Sequence, residues 1–136
     1  MSGYKKISVG IMDLGINNIF SIFQLFKNLG YNTEIYKSKN KFRYNFVVIP
    51  GVGTFEEGMK SLKKNKFDKD IYEIYKKKKN FIIGICLGMQ LLFEESNEFK
   101  KTIGLGLIKG SVKMIPKKSN IKTHIGWKKI KLINKK

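Results

Sequence analysis

The chain has 136 residues, a length that fits one domain and excludes a multidomain array. Hydrophobic residues make up 42% of it, in blocks parted by charged and glycine-containing stretches, which excludes a disordered chain. The formal net charge is +18, but its carriers are 27 Lys and the single Arg43, so the guanidinium fork that reads phosphates and guanines is nearly absent.

The chain contains no alanine, while Lys, Asn, Ile, Phe and Tyr, all encoded by A/T-rich codons, are abundant. Codon bias therefore explains the lysines without a nucleic-acid partner. No apolar run approaches the roughly 20 residues that span a bilayer, and Met1 to Lys6 lack the apolar stretch of a signal peptide. A lone cysteine forms no internal disulfide, so the expected compartment is the reducing cytoplasm.

Taken in chain order, Lys5 to Met12 read as a strand, and Asn18 is placed to cap a helix running to Leu29. In that helix Ile19, Ile22, Phe23, Phe26 and Leu29 share one face, and Gly30 stands at the C-terminal cap. Tyr31 to Tyr36 alternate as a short strand. Phe46 to Ile49 form a continuous apolar run, the pattern of a parallel strand covered on both faces. Residues Phe55 to Lys79 are helical in composition, with a break near Asn65, and Lys76 to Lys79 form a solvated helix end. Phe81 to Ile85 repeat the apolar-run pattern, so this strand and Phe46 to Ile49 should both be central. Leu87 to Glu95 then read as a helix. Leu105 to Ile108, Ser111 to Ile115 and Lys128 to Ile133 look like short strands. The alternation predicts an α/β fold, a three-layer, open, mostly parallel sheet in one domain over residues 1–136.

Gly84-Ile85-Cys86-Leu87-Gly88 places glycines two residues before and two after a cysteine, between an apolar strand and a helix. That is nucleophile-elbow spacing, in which a sharp strand-to-helix turn presents the nucleophile and tolerates no bulk on either side. Backbone N–H groups at a helix start favour the thiolate. A lone cysteine is more often a small buried hydrophobe. Here the two glycines and the strand–turn–helix context outweigh that reading. Pro50-Gly51-Val52-Gly53, taken alone, is an ordinary turn after a strand.

With Gln90 added, the segment Gly84 to Gln90 resembles the nucleophile motif of class I (triad) glutamine amidotransferases. Pro50-Gly51-Val52-Gly53-Thr54-Phe55 resembles the family's oxyanion-strand motif. His124-Ile125-Gly126-Trp127 resembles a segment typical of the glutaminase subunits of imidazole glycerol phosphate synthase and their paralogues. The resemblance implies the class I amidotransferase fold and a Cys86 thioester formed from glutamine. It implies an oxyanion site from the Leu87 N–H and the Gly51-Val52-Gly53 loop, and substrate binding by Gln90. It also implies a (β/α)8 cyclase or synthase subunit as heterodimer partner, with no cofactor, metal, nucleic acid or membrane.

Against the family pattern, Asp13-Leu14-Gly15-Ile16-Asn17-Asn18 stands where Asp-Tyr-Gly-x-Gly-Asn is usual. Lys122-Thr123 stands where Val-Pro is usual, and Lys128 where Asn is common. These departures open an alternative in which a paralogue supplies ammonia to a sugar in surface-polysaccharide biosynthesis, and a truncated, catalytically inactive scaffold is a further one. The only histidine, His124, lies in the His-Ile-Gly-Trp segment and not at the family's catalytic position, so the fold is expected to be incomplete at the C-terminus. A thioester mechanism needs one group to protonate departing ammonia and then activate water, which is typically worth about 10² to 10⁴ in rate. The 136-residue chain alone is therefore expected to release ammonia from glutamine at least about 10²-fold more slowly than a complete amidotransferase. Comparable turnover, abolished by His124→Ala, would show that His124 is the base.

Overall fold

The computed structural model describes residues 7–16, 19–115, 126–131 and 133. Four short strands, β1 (Ser8–Ile11), β2 (Asn32–Ile35), β3 (Phe46–Ile49) and β4 (Phe81–Gly84), form a sheet of order β2-β1-β3-β4. All three pairings are parallel. Parallel neighbours need crossovers, and helices supply two of them. Helix α1 (Phe20–Asn28) links β1 to β2, while α2 (Phe55–Lys64) and α3 (Phe67–Lys77) link β3 to β4.

The period-two pleat of β3 divides the core between two faces. Val48 joins Val9 and Ile11 beneath Ile19, Ile22, Phe23 and Phe26 of the α1 segment. Val47 and Ile49 face the other way, into a larger cluster with Phe55, Met59, Leu62, Ile71 and Ile74 from α2 and α3. The expected α/β sheet with helices on both faces is therefore the observed one.

Helix ends follow local chemistry. Gly30, at φ +85°, closes α1 as the sequence predicts: its N–H donates to the Lys27 carbonyl, and the Tyr31 N–H to that of Phe26. This is the Schellman pattern, completed by contact of the Phe26 and Tyr31 rings at 6.1 Å. Leu29 departs from the prediction. It occupies the cap, where the chain has begun to turn away from the sheet, and it is 61% exposed. Asn18, the expected N-cap, lies outside the described residues. The break near Asn65 is a single left-handed residue, Lys66, between α2 and α3.

Further expectations are corrected. The helix after Cys86 is one turn, α4 (Leu87–Gln90), and Phe93–Ser96 is a strand, β5, not the end of a helix. Carbonyls that would continue the helix are taken from outside it: Leu91 O accepts from the Leu105 N–H, and Leu92 O from those of Leu107 and Ile108. Residues 105–107 are thus a hydrogen-bonding loop and not a strand. The second sheet has order β6-β5-β7, with β6 at Thr102–Ile103 and β7 at Ile108–Val112. Lys128 to Lys131 carry no strand. Finally, β4, expected to be central, ends the sheet among the described residues, and Phe81 is 69% exposed.

The return from β2 to β3 passes through 3-10 turns at Ser38–Arg43, which a buried carboxylate ties to α3. Asp70 accepts from the Tyr36 hydroxyl at 3.1 Å and from the Lys41 ammonium at 2.9 Å, and Lys41 also reaches Glu73 at 3.0 Å. Burial, and next the Asp70 charge, push the Tyr36 hydroxyl far above its ordinary pKa. Hydrogen bonds to Asp70 and then Glu73 raise that of Lys41. Asp70→Ala strands the buried Tyr36 hydroxyl and leaves Lys41 with Glu73 alone, and is expected to cost about 3 kcal/mol in denaturant unfolding. The Lys41 contribution is complete below the ordinary lysine value of 10.5 and is lost as pH rises through the higher folded value. The stability lost in Lys41→Met should therefore be full at neutral pH and vanish in strong alkali. A pH-independent difference would contradict this.

Candidate active site

The site is a joint between two strand ends. β4 finishes at Gly84, and the Ile85 N–H donates to the Ile49 carbonyl at the end of β3, at 3.0 Å. Cys86 follows at φ 54°, ψ −118°, a conformation that side-chain-bearing residues rarely hold. The turn is fixed from both sides. Gly88 N–H donates to Ile85 O at 3.0 Å, and the N–H groups of Met89 and Gln90 donate to Cys86 O at 3.1 and 3.3 Å. The result is an exposed thiol on a sharp strand-to-helix turn.

Both flanking glycines are required by backbone approach. A Cβ on Gly88 would lie 1.8 Å from the Ile49 carbonyl oxygen, and one on Gly84 would lie 2.5 Å from Met89 Cα. Neither obstacle is a side chain that could swing aside.

The loop after β3 belongs to the same joint. Gly51 is buried, and a Cβ there would sit 3.0 Å from Leu87 Cβ and 3.3 Å from the Gly88 nitrogen. Val52 is 56% exposed, and Gly53 stands at φ +107°. The structure thus brings Gly51, and with it the loop through Val52 and Gly53, against Leu87 beside Cys86. No hydrogen-bond partner is found among the described residues for the N–H groups of Leu87, Gly51, Val52 or Gly53. Buried backbone donors are normally paired, so an unpaired Leu87 N–H, on a residue 2% exposed, is available to a ligand oxygen. Gln90 is half-buried at the end of α4. A helix of four residues carries little macrodipole, so the electrostatic help at the turn comes from these individual N–H groups.

Three residues to which sequence alone assigns no individual role support the loop. Thr54 and Glu57 form a capping box at the start of α2, with the Glu57 N–H donating to Thr54 Oγ1 and the Thr54 N–H to Glu57 Oε2. Hydrogen bonds from Thr54 lower the Glu57 pKa. The Thr-x-x-Glu spacing was the available signal. Glu98, from the loop after β5, accepts from the Phe55 N–H at 3.4 Å, and no sequence pattern marks it. His124 lies outside the described residues. Among those described, no group of His, Cys, Asp and Glu is arranged to hold a metal.

Residues 10–134 match the family model described as "Glutamine amidotransferase class-I". Curated relatives named "Imidazole glycerol phosphate synthase subunit HisH" include one from Caldanaerobacter subterraneus subsp. tengcongensis, 39% identical over 120 residues, covering 88% of this chain and 58% of the relative. One from Prochlorococcus marinus is 37% identical over 123 residues (89% and 57%), and one from Thermotoga maritima 35% identical over 127 (90% and 62%). The chain thus spans about three fifths of these relatives' length. A solved structure titled "Crystal structure of glutamine amidotransferase" superposes with a TM-score of 0.67 at 18% identity, over 78% of this chain and 56% of that one, a likeness of fold.

Gly88→Ala is expected to disrupt the elbow, with a melting temperature lowered by several degrees or no cooperative transition at all, because backbone meets backbone. Gly58→Ala is the control. Its added methyl meets the Leu91 methyl carbons at 2.9 and 3.0 Å, which can rotate, and stability should change by about 1 kcal/mol at most. Wild-type melting of Gly88→Ala would contradict the geometry.

Proposed function

We propose, from the premise that the chain belongs to the class I glutamine amidotransferase family, that Cys86 is the nucleophile of a glutaminase. Its sulfur would attack the side-chain carboxamide carbon of glutamine and form a tetrahedral intermediate. The oxyanion would be held by the Leu87 N–H and by N–H groups of the Gly51-Val52-Gly53 loop. Collapse breaks the C–N bond and releases ammonia, leaving a glutamyl thioester that water converts to glutamate and free thiol. Gln90, one turn beyond the nucleophile, would contact the substrate. The observation that carries this reading is the exposed Cys86 at φ 54°, wedged between two glycines that backbone contacts make obligatory.

The shared name of the relatives supports the glutaminase subunit of imidazole glycerol phosphate synthase, in histidine biosynthesis. In that reading ammonia passes to a (β/α)8 synthase partner in a cytoplasmic heterodimer, and the complete subunit's activity is what is proposed. The relatives' shared name outweighs the sequence departures that open the sugar-acceptor alternative. No helix among the described residues is long and apolar enough to cross a membrane.

A glutamine-analogue electrophile should label the wild-type chain at Cys86 and leave Cys86→Ala unlabelled, read by mass spectrometry. Free glutamine should slow the labelling, which separates a substrate site from a merely exposed thiol. Label on Cys86→Ala, or a labelling rate indifferent to glutamine, would sink the proposal.

A further inference from the structure

The peptide units around α4 stand in series. A trans unit carries its C=O and its N–H on opposite sides, so a unit that accepts at one end donates from the other. Cys86 O accepts from the N–H groups of Met89 and Gln90 at 3.1 and 3.3 Å. The Gln90 N–H shares its unit with Met89 O, which accepts from the Leu92 N–H at 3.2 Å. The Leu92 N–H in turn shares its unit with Leu91 O, which accepts from the Leu105 N–H at 2.9 Å. Units 91–92, 89–90 and 86–87 therefore run head to tail from Leu105. The row ends in the Leu87 N–H, the donor without a partner among the described residues.

The head of the row is anchored from outside it. Leu105 is 1% exposed in the larger core cluster, and its carbonyl accepts from the Tyr72 hydroxyl of α3 at 2.5 Å. Gly104 and Gly106 on either side donate to Glu94 O and Phe93 O at 2.8 and 3.0 Å. The Leu107 N–H, two residues on, donates to Leu92 O at 2.8 Å. That carbonyl belongs to the 92–93 unit and lies outside the row.

Aligned units polarise one another, each bond strengthening its neighbour by about 10 to 30%. They also aim one another. Two donors hold Cys86 O toward α4, so the Leu87 N–H has to point the opposite way, out of the helix start. We infer that Leu105 is a positioning residue of the oxyanion site, acting through this row on the Leu87 N–H, with Tyr72 holding it to α3. The effect on chemistry rests on the glutaminase reading, while the row itself rests on the hydrogen bonds alone.

The test assembles the 136-residue chain by joining residues 1–85 to a synthetic 86–136 at Cys86. In one product the α-hydroxy analogue of leucine at position 105 replaces the N–H by an ester oxygen, and in the control the same change is made at position 107. Nitrogen-15 spectra read the row. The 105 ester should move the Leu92, Gln90 and Leu87 nitrogens upfield, and the 107 ester should leave those of Gln90 and Leu87 in place. A chloroketone analogue of glutamine reads the oxyanion, because thiol addition to its ketone forms one. Iodoacetamide, whose alkylation forms none, reads the thiol alone. Relative to iodoacetamide, the chloroketone should label the 105 ester about threefold or more slowly, and the 107 ester within about twofold of wild type. Tyr72→Phe, made without synthesis, should move the same three nitrogens, and it decides the matter where the 105 ester does not fold. Shifts confined to Leu92, an unchanged chloroketone rate in the 105 ester, or equal losses in both esters would each overturn the assignment. Wild-type chloroketone labelling that ignores free glutamine would instead overturn the glutaminase reading, and the nitrogen shifts would still decide the row.

Discussion

The joint described above turns on one carbonyl. Ile49 O, at the end of β3, accepts the Ile85 N–H at 3.0 Å and is the atom that a side chain on Gly88 would strike at 1.8 Å. It sets the height at which β4 ends and the distance at which α4 begins. Because the same strand continues into Pro50-Gly51, fixing the elbow to Ile49 also fixes it to the loop carrying Gly51, Val52 and Gly53. Leu87 is caught between them, buried, with no partner for its N–H among the described residues. The left-handed backbone of Cys86 costs of order 1 to 3 kcal/mol. It persists because hydrogen bonds on both sides leave the chain no other course.

The rest of the molecule holds that joint in place. Leu87 and Leu91 belong to the same buried cluster as Phe55, Met59 and Leu62, so the one-turn helix after the nucleophile is packed onto α2. The capping box at Thr54 and Glu57 starts α2 directly after Gly53, which keeps the glycine loop short. Glu98 reaches the first N–H of the same helix from the second sheet. Further away, Asp70 ties Tyr36 and Lys41 to α3 and anchors the chain's return to β3.

Much of this was legible in the sequence, for identifiable reasons. A continuous apolar run marked β3 and a helical apolar face marked α1, and Gly84, Cys86 and Gly88 announced the elbow, because close backbone approach leaves glycine as the only solution. What could not be read depended on distant partners. Leu91-Leu92-Phe93 has a helical look, yet N–H groups of residues 105–108 claim the carbonyls of Leu91 and Leu92, and Phe93 opens a strand. β4 has the composition of a central strand, but composition does not reveal which neighbours are at hand. Glu98 sits in a polar run where nothing local distinguishes it. That Leu87 and the Gly51-Val52-Gly53 loop share one site was implied by the family resemblance, and only coordinates could give the closeness of Gly51 to Leu87.

Under the proposed glutaminase chemistry this convergence forms an anion site for the intermediate on Cys86. A crystal structure of the chain carrying a glutamine-derived tetrahedral adduct on Cys86 tests it most directly. The adduct oxyanion should lie within about 2.7 to 3.1 Å of the Leu87 nitrogen and of one nitrogen from residues 51–53. An adduct whose oxygen points to solvent, with the Leu87 N–H still without a partner, would contradict it.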